Sequence, residues 1–190
     1  MELLRKIRDF VAETGKTVII SLIAVWLIRS FIVQPFYVRG ASMEPNFTDG
    51  EYLIINEIGY LCITRTAYCF GRPERGDVVV FRYPLDPSEY FIKRIIGLPG
   101  DMVEIDEGKV LVNGKTLEEA YIPQGVFTYG KTQISLGEGE YYALGDNRPS
   151  SSDSRRWGVL PAQNIVGKAW LRGWPFRRIG IVPKAEFELR

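Results

Sequence analysis

The amino-acid sequence predicts a mainly β protein in which a single N-terminal transmembrane helix is followed by a mostly antiparallel, β-barrel-like domain. Three observations support this fold class. An apolar run occupies residues 17–33, short strand-like runs alternate with turn signals after Pro35, and no long amphipathic helix pattern follows. A chain of 190 residues is expected to form one main domain, with at most a small appendage.

The first element is the apolar run "TVIISLIAVWLIRSFIV" at 17–33, whose single charge is Arg29. As a helix it would be about 25 Å long, a short span for a hydrocarbon core of about 30 Å. The long side chain of Arg29 could reach the headgroups. By the positive-inside rule, the basic residues before the run predict a cytoplasmic N-terminus and a single-pass protein of the cell (inner) membrane, its main domain on the outer face. Those residues are Arg5, Lys6, Arg8 and Lys16.

We therefore assign residues 1–16 to a cytoplasmic segment and 17–34 to the anchor. Two other interpretations of the run remain open. A cleavable signal peptide is disfavoured because no A-x-A-like site closes it, whereas a buried core helix is favoured by the short span and by Arg29. The apolar positions within 1–16 have helical spacing, so this segment could also lie on the inner membrane surface.

The strand predictions follow in chain order. The runs "EYLIINEI", "GDVVVFRYP" and "EYFIKRIIGLPGD" each read as a strand, and "MVEIDEGKVLVNGKTL" reads as two strands with tight turns at 106–109 and at Asn113 and Gly114. "EYYALGD" and "IVGKAWLRG" supply further strands. The chemically richest stretches lie in 35–101 and 140–190, which we assign to one β domain, and 102–139 is then an inserted β appendage.

Composition excludes some classes of function. The formal net charge of +1 gives no electrostatic reason to expect nucleic acid. The chain has no histidine, and its two cysteines, Cys62 and Cys69, cannot complete a zinc site of the usual Cys/His kind, so we expect no metal and no cofactor. The cysteines would pair in an oxidising compartment and stay free thiols otherwise, and the sequence leaves both states open.

The absence of histidine narrows the choice of a catalytic base. A serine hydroxyl such as that of Ser42 attacks only when a neighbouring group takes its proton. Arginine stays protonated, but a desolvated lysine can be neutral. In the strand "YFIKRII", alternation places Lys93 on one face with Phe91 and Ile95, which are both large and apolar. Lys93 is therefore the candidate base, although a lysine that protects an edge strand from aggregation would look the same.

Two loops supply the remaining candidates. Gly40 and Ala41 allow a tight backbone around Ser42, which suits an oxyanion hole and equally suits a plain turn. The stretch "LGDNRPSSSDSRRWG" at 144–158 is dense in hydroxyls beside acidic and basic side chains. Ser151 could bind a neutral lysine there, and an Asp and an Arg could pair and stabilise the loop. A solvated polar loop is the alternative.

Three of these stretches, in this order, resemble the conserved boxes of the type I signal peptidases, membrane-anchored serine/lysine proteases that remove signal peptides from exported proteins. "PFYVRGASMEP" resembles the box of the nucleophilic serine. "RGDVVVF" and "YFIKRIIGLPGD" resemble the boxes around the general-base lysine, and "GDNRPSSSDSRRWG" resembles the closing box. The resemblance covers nearly the whole chain after residue 20.

The resemblance implies a role for each matching residue. Ser42 is the nucleophile and Lys93 the general base, Ser151 orients the lysine, and Asp153 and Arg155 structure the loop. Some family members contribute a serine hydroxyl to the oxyanion hole at the position that Gly40 occupies in this chain. In this chain we therefore expect the backbone N–H of Ser42 to be the donor of the oxyanion hole.

The resemblance also implies partners. The substrates would be signal-peptide-bearing preproteins, met at the lipid bilayer near Sec-type export machinery. Their small residues at −1 and −3 imply shallow apolar pockets, for which Phe36, Val38 and Tyr52 are the candidate lining residues. The exposed or buried state of the aromatic residues Trp170, Trp174 and Phe176 is open, since they could rest on lipid or pack in the core.

Two rival functions are weighed against this expectation. Soluble, self-cleaving serine/lysine regulators would use the same pair but lack the apolar run at 17–33. A membrane-tethered binding or assembly module without activity would have no need for the combination of Ser42, Lys93 and the loop from Ser151 to Arg155.

Overall fold

A computed structural model describes residues 2–31, 33–57 and 71–189 of the chain. Cys62 and Cys69 lie outside the described residues, so both states predicted for them stay open. The helices and strands are α1 (Glu2–Phe31), β1 (Val33–Tyr37), β2 (Tyr52–Asn56), β3 (Val78–Tyr83), β4 (Asp86–Gly97), β5 (Met102–Asp106), β6 (Lys109–Val112), β7 (Lys115–Glu118), β8 (Thr132–Ser135), β9 (Glu140–Leu144), α2 (Ser154–Trp157), β10 (Leu160–Pro161), β11 (Ile165–Trp174), β12 (Gly180–Ile181) and β13 (Glu188–Leu189).

The helix α1 covers both N-terminal segments of the prediction. Residues 2–31 form one continuous helix, and the division into a cytoplasmic segment at 1–16 and an anchor at 17–34 stays a prediction. Within the described parts of the chain, none of the helices combines the length and the apolar character that a membrane crossing requires. The transmembrane helix predicted at 17–34 is therefore not found. Because α1 ends at Phe31, its apolar part after Lys16 is only about 22 Å long, shorter than a hydrocarbon core of about 30 Å.

The larger sheet is antiparallel and has eight strands in the order β1-β2-β11-β3-β4-β9-β10, with β12 paired to β11. Its order is linear, so the barrel-like closure that we predicted is not formed among the described residues. The edge strand β10 has only two residues and offers little backbone for further pairing. Mainly β, antiparallel architecture is confirmed.

The smaller sheet has five strands in the order β13-β7-β6-β5-β8. Two tight turns join β5 to β6 and β6 to β7, as predicted. Both central residues of each turn have positive φ, at Glu107 and Gly108 and again at Asn113 and Gly114, which is the primed turn geometry that fits twisted hairpins. The second turn leads into β7, a strand that the sequence pattern did not resolve. The C-terminal strand β13 joins this sheet from outside 102–139, and the division into domains stays a prediction.

Strand β4 has the position that matters most for function. It lies between β3 and β9 in the larger sheet, with Lys93 opposite Val79 and Arg94 opposite Leu144. The two residues point to opposite faces, and both are buried. Lys93 is thus in a central strand, which removes the edge-strand interpretation of its charge.

Candidate active site

The turn that carries Ser42 follows β1 and is anchored by apolar side chains in the core. Met43 and Phe47 are almost fully buried in the core beneath the larger sheet. Phe47 N donates to Met43 O at 2.9 Å, and Glu44 N donates to Ala41 O at 3.1 Å. Because the apolar residues on either side of the turn are held in the core, Ser42 is presented at the surface in a defined position.

Lys93 reaches this turn from β4. Its Nζ lies 2.8 Å from Ser42 Oγ and also donates to the carbonyl of Ile92 at 2.7 Å. The side chain is only 3% exposed, and Nζ lies 5.5 Å from the centre of the Phe91 ring. The two residues that the sequence singled out, 51 positions apart, are therefore in hydrogen-bonding contact.

Burial changes the chemistry of this amine. Desolvation lowers the pKa of Lys93 from 10.5 to about 8, although the negative charges of Asp153 and Asp146 act to raise it. Desolvation wins because a charged ammonium loses its hydration when it is surrounded by apolar groups. An appreciable fraction of the amine is then neutral near pH 8, which is the form that can accept a proton.

A cavity of about 660 Å³ lies beside this pair. Phe36 and Val38, both predicted for substrate pockets, line it together with Ser42 and Lys93. Tyr52 does not line it, and its half-exposed ring instead packs edge-on against Tyr37 at 5.0 Å. Alternation along β2 turns Leu53 toward the cavity in its place. The other lining residues are Tyr37, Arg39, Val80, Glu89, Tyr90, Phe91, Ile92 and Ser152.

The loop between β9 and α2 is organised around a buried carboxylate. Asp153 accepts hydrogen bonds at 2.7 Å from both Nε and Nη2 of Arg155, and at 3.1 Å from Gly145 N. It also caps α2 by accepting from the backbone N–H of Arg155. Arg155 in turn donates to the carbonyls of Arg148 and Tyr129. The pairing that the sequence suggested for this Asp and Arg is present.

Ser151 lies in the same loop, but its predicted bond to Lys93 is not formed. Its Oγ is buried and has no hydrogen-bond partner among the described residues, whereas Lys93 Nζ contacts Ser42 and Ile92. Ser151 packs closely on Gly145: a Cβ at position 145 would be 2.2 Å from Ser151 Oγ and 2.5 Å from the carbonyl oxygen of Ser42. The role of Ser151 stays a prediction.

Several supporting residues were missed by the sequence reasoning. Asn147 donates from its backbone to Ser42 O and from its side chain to Ala41 O, both at 3.0 Å. Asp146 accepts two bonds from the buried Arg94, at 2.9 and 2.6 Å, and one from Asn46. One signal was available for Arg94: it is a charged residue on the second face of the strand that carries Lys93.

The described residues contain no cluster of three or more His, Cys, Asp or Glu side chains that could hold a metal ion.

The solvent-accessible surface of the C-terminal aromatic residues shows whether they are exposed or buried. Trp170, Trp174 and Phe176 are all exposed, Phe176 by 72%, so they are not part of the core.

Comparisons with known proteins identify the family of this chain. The sequence profile of the family described as "Signal peptidase, peptidase S26" matches residues 11–174. The "Probable signal peptidase I-2" of Synechocystis sp. is 40% identical over 177 residues, which are 90% of this chain and 76% of the relative. The signal peptidase I of Leptolyngbya laminosa is 38% identical over 88% of this chain and 82% of its own length. The signal peptidase I of Pseudomonas fluorescens is 33% identical over 90% of this chain and 76% of its own length.

Among solved structures, a signal peptidase I from Enterococcus faecalis V583 is 30% identical, and the match covers 51% of this chain and 96% of that one with a TM-score of 0.46. Assignment to a family rests on the sequence profile and on the relatives, whose matches extend over most of the chain. This chain belongs to the signal peptidase family, peptidase S26.

Proposed function

We propose that the chain is a signal peptidase I that cleaves signal peptides from preproteins with Ser42 as nucleophile and Lys93 as general base. The observation that carries the proposal is the 2.8 Å contact between Ser42 Oγ and the buried Lys93 Nζ in a chain without histidine. Both the distance and the lowered pKa suit proton transfer between the two groups.

In the proposed reaction, neutral Lys93 takes the hydroxyl proton as Ser42 Oγ attacks the carbonyl carbon of the scissile bond. The backbone N–H of Ser42 stabilises the resulting oxyanion. Protonated Lys93 then gives its proton to the leaving amine, and the mature protein departs. A water molecule, deprotonated by Lys93, attacks the acyl-enzyme. The bond between Ser42 Oγ and the acyl carbon breaks, Oγ takes the proton back from Lys93, and the signal peptide leaves with a free carboxylate.

The closing loop would support this chemistry from behind. Asp153 and Arg155 bind one another, and Asp153 also accepts a hydrogen bond from Gly145 N. Because residue 145 has no side chain, Ser151 and the carbonyl of Ser42 can pack against it. In our proposal Ser151 donates to or accepts from Lys93 once the reaction changes the partners of Nζ. The unpaired state of Ser151 Oγ supports this, since buried hydroxyls rarely stay without a partner.

The cavity suits the small side chains that precede a signal peptide cleavage site. Phe36, Val38, Leu53 and Ile92 provide apolar walls close to Ser42. In our proposal these walls receive the apolar side chains at −1 and −3.

We also propose that the enzyme works at the outer face of a membrane, near Sec-type export machinery, with its surface in contact with lipid. The described part of α1 presents many apolar side chains to solvent, and the aromatic group of Trp170, Trp174 and Phe176 does the same on the β domain. Flotation of the full chain with liposomes tests the contact with lipid. Protein that stays at the bottom of the gradient at every lipid composition would contradict it. The apolar side chains of α1 are Ile7, Phe10, Val11, Val18, Ile19, Ile20, Leu22, Ile23 and Val25.

The decisive experiment is cleavage of an exported precursor by the purified chain in detergent. We expect a cut after the A-x-A sequence, lost in Ser42→Ala and in Lys93→Arg, because a guanidinium keeps its proton. Lys115→Arg, an exposed lysine of β7, is the matched control and should cleave normally. An inactive wild-type protein, or appreciable turnover by Lys93→Arg, would count against the proposal and favour a binding module or another base.

A further inference from the structure

Two arginines meet the carbonyl oxygen of Asn46, four residues after Ser42. Arg172 Nη2 donates to Asn46 O at 2.6 Å, and Arg178 Nη2 donates to the same oxygen at 3.2 Å. Arg172 comes from β11, and Arg178 comes from the 3₁₀ turn Phe176–Arg178 that follows it. Hydrogen bonds from ionised donors are about twice as strong as neutral ones, so this carbonyl is held firmly.

A buried carboxylate holds both arginines in place. Glu51 is 1% exposed; its Oε1 accepts from Arg178 Nη1 at 2.6 Å and from Thr48 Oγ1 at 2.9 Å. Its Oε2 lies 2.8 Å from Arg172 Nε, as an ion pair without a well-aligned hydrogen bond. The Arg172 guanidinium also lies 5.2 Å from the centre of the Phe47 ring. Each carboxylate oxygen thus fixes one guanidinium, and both guanidinium groups converge on one carbonyl.

The side chain of Asn46 is held from the other direction. Its Nδ2 donates to Asp146 Oδ2 at 2.9 Å and to the carbonyl of Tyr121 at 3.0 Å. Asn46 is therefore fixed by its amide on the side of the closing loop and by its carbonyl on the side of the C-terminal strands. Neither Arg172 nor Arg178 lines the cavity beside Ser42, so an effect of these groups on catalysis must pass through the turn.

We propose that Arg172, Glu51 and Arg178, named here the guanidinium clamp, are positioning residues that hold the Ser42 turn at the distance from Lys93 that proton transfer needs. This inference rests on the function proposed above. Reacting groups must be held to within about 0.5 Å of the productive geometry, and a displacement of about 1 Å can cost two orders of magnitude in rate. The clamp supplies that restraint through Asn46.

The test compares two adjacent arginines of the same 3₁₀ turn. Arg178→Met removes one arm of the clamp, whereas Arg177→Met removes an exposed arginine and is the matched control. Cleavage of an A-x-A peptide is measured per active site, with sites counted from the burst of the first turnover. We expect Arg178→Met to lower kcat about tenfold with KM changed less than about twofold, and Arg177→Met to match wild type.

Two further readouts separate positioning from simple loss of fold. The pH limb of Lys93 should stay near 8 in Arg178→Met, because the clamp does not touch the amine. Arg178→Lys should recover part of kcat, since an ammonium can bind Glu51 or Asn46 O but not span both. If Arg178→Met does not fold, Arg178→Lys replaces it as the test variant. A merely structural role would instead reduce the number of titrated sites and leave kcat per site unchanged, which would overturn the clamp.

Failure of this inference is distinguishable from failure of the proposed function. If the wild-type chain cleaves no precursor, the proposed function fails and the clamp with it. If wild type cleaves and Arg178→Met keeps the wild-type kcat per site, or if Arg177→Met loses as much, only the clamp is refuted.

Discussion

At the scale of single residues, Lys93 carries the chemistry on which the proposed reaction depends. Its strand places it among apolar neighbours, and the nearby carboxylates Asp153 and Asp146 only partly offset the desolvation of the amine. The amine is thus a usable base at moderate pH without a histidine. Two measurable consequences follow from its environment.

The first is the pH dependence of catalysis. Because the pKa of Lys93 is lowered to about 8, the amine is protonated and inactive as a base well below that pH and becomes neutral above it. We expect log kcat/KM of the wild type to rise with pH and to level off above about 8. A pH–rate profile with an A-x-A peptide checks this, and a flat profile from about pH 5 to about pH 9 would be incompatible with Lys93 as base.

The second consequence is that burial of the Lys93 amine lowers the stability of the folded protein. The folded pKa of about 8 lies below the ordinary value of 10.5, so the unfolded chain binds more protons between these values. The free energy of unfolding should therefore rise with pH across this window, and below it the wild type bears the full cost of a buried charge, on the order of 3 kcal/mol. Lys93→Met should raise Tm at pH 7, and the gain should shrink toward pH 10.5.

Thermal unfolding of both proteins at several pH values measures this effect. Lys115→Met, a change at an exposed lysine, is the control and should leave Tm nearly constant. A gain for Lys93→Met that is the same at pH 7 and at pH 10.5 would show that packing, not desolvation of the amine, is responsible.

At the scale of elements, the contact between the Ser42 turn and the loop after β9 sets the geometry of the site. The two segments approach so closely at Gly145 that no side chain fits there. Asn147 then binds the backbone of the turn from the same loop. The distance between Ser42 and Lys93 thus depends on two loops that are far apart in the chain.

Gly145→Ala tests this close approach. An added Cβ would lie 2.5 Å from the carbonyl oxygen of Ser42 and 2.2 Å from Ser151 Oγ, so the Ser42 backbone must shift. We expect kcat to fall about 100-fold, measured by peptide cleavage. Gly180→Ala is the matched control, since a Cβ there meets nothing within 4 Å. Equal activity of the two variants would mean that the added Cβ displaces the loop after β9 and leaves Ser42 in place.

At the scale of the whole molecule, a buried arginine joins the segment after β7 to the closing loop. Arg148, 1% exposed, donates to Glu119, to Thr128 Oγ1 and to the carbonyl of Gly145. The hydroxyl of Tyr121 completes this group at 3.2 Å from Arg148 Nη2. Residues of the connection between β7 and β8, two strands of the smaller sheet, therefore hold the loop that touches Ser42.

Glu119→Gln should destabilise the whole molecule. The substitution leaves the Arg148 guanidinium buried without its carboxylate, for which a loss of about 3 kcal/mol in the free energy of unfolding is typical. Denaturant unfolding measures the change, with Glu138→Gln, an exposed glutamate before β9, as control. A loss below about 0.5 kcal/mol in Glu119→Gln would mean that water or another group replaces the carboxylate.

The sequence by itself determined the β-rich architecture, most strands, both tight turns and the apolar neighbours of Lys93 on its strand face, because alternation and turn chemistry are local properties of a few adjacent residues. The predicted barrel-like closure was wrong, and the predicted transmembrane helix was not found among the described residues, because the lengths of elements and the edges of sheets depend on what they pack against. Only the tertiary structure decided that Ser42 and Lys93 lie 2.8 Å apart, and that Arg172 and Arg178 meet Asn46. Such contacts join residues up to 132 positions apart, and no local pattern records them.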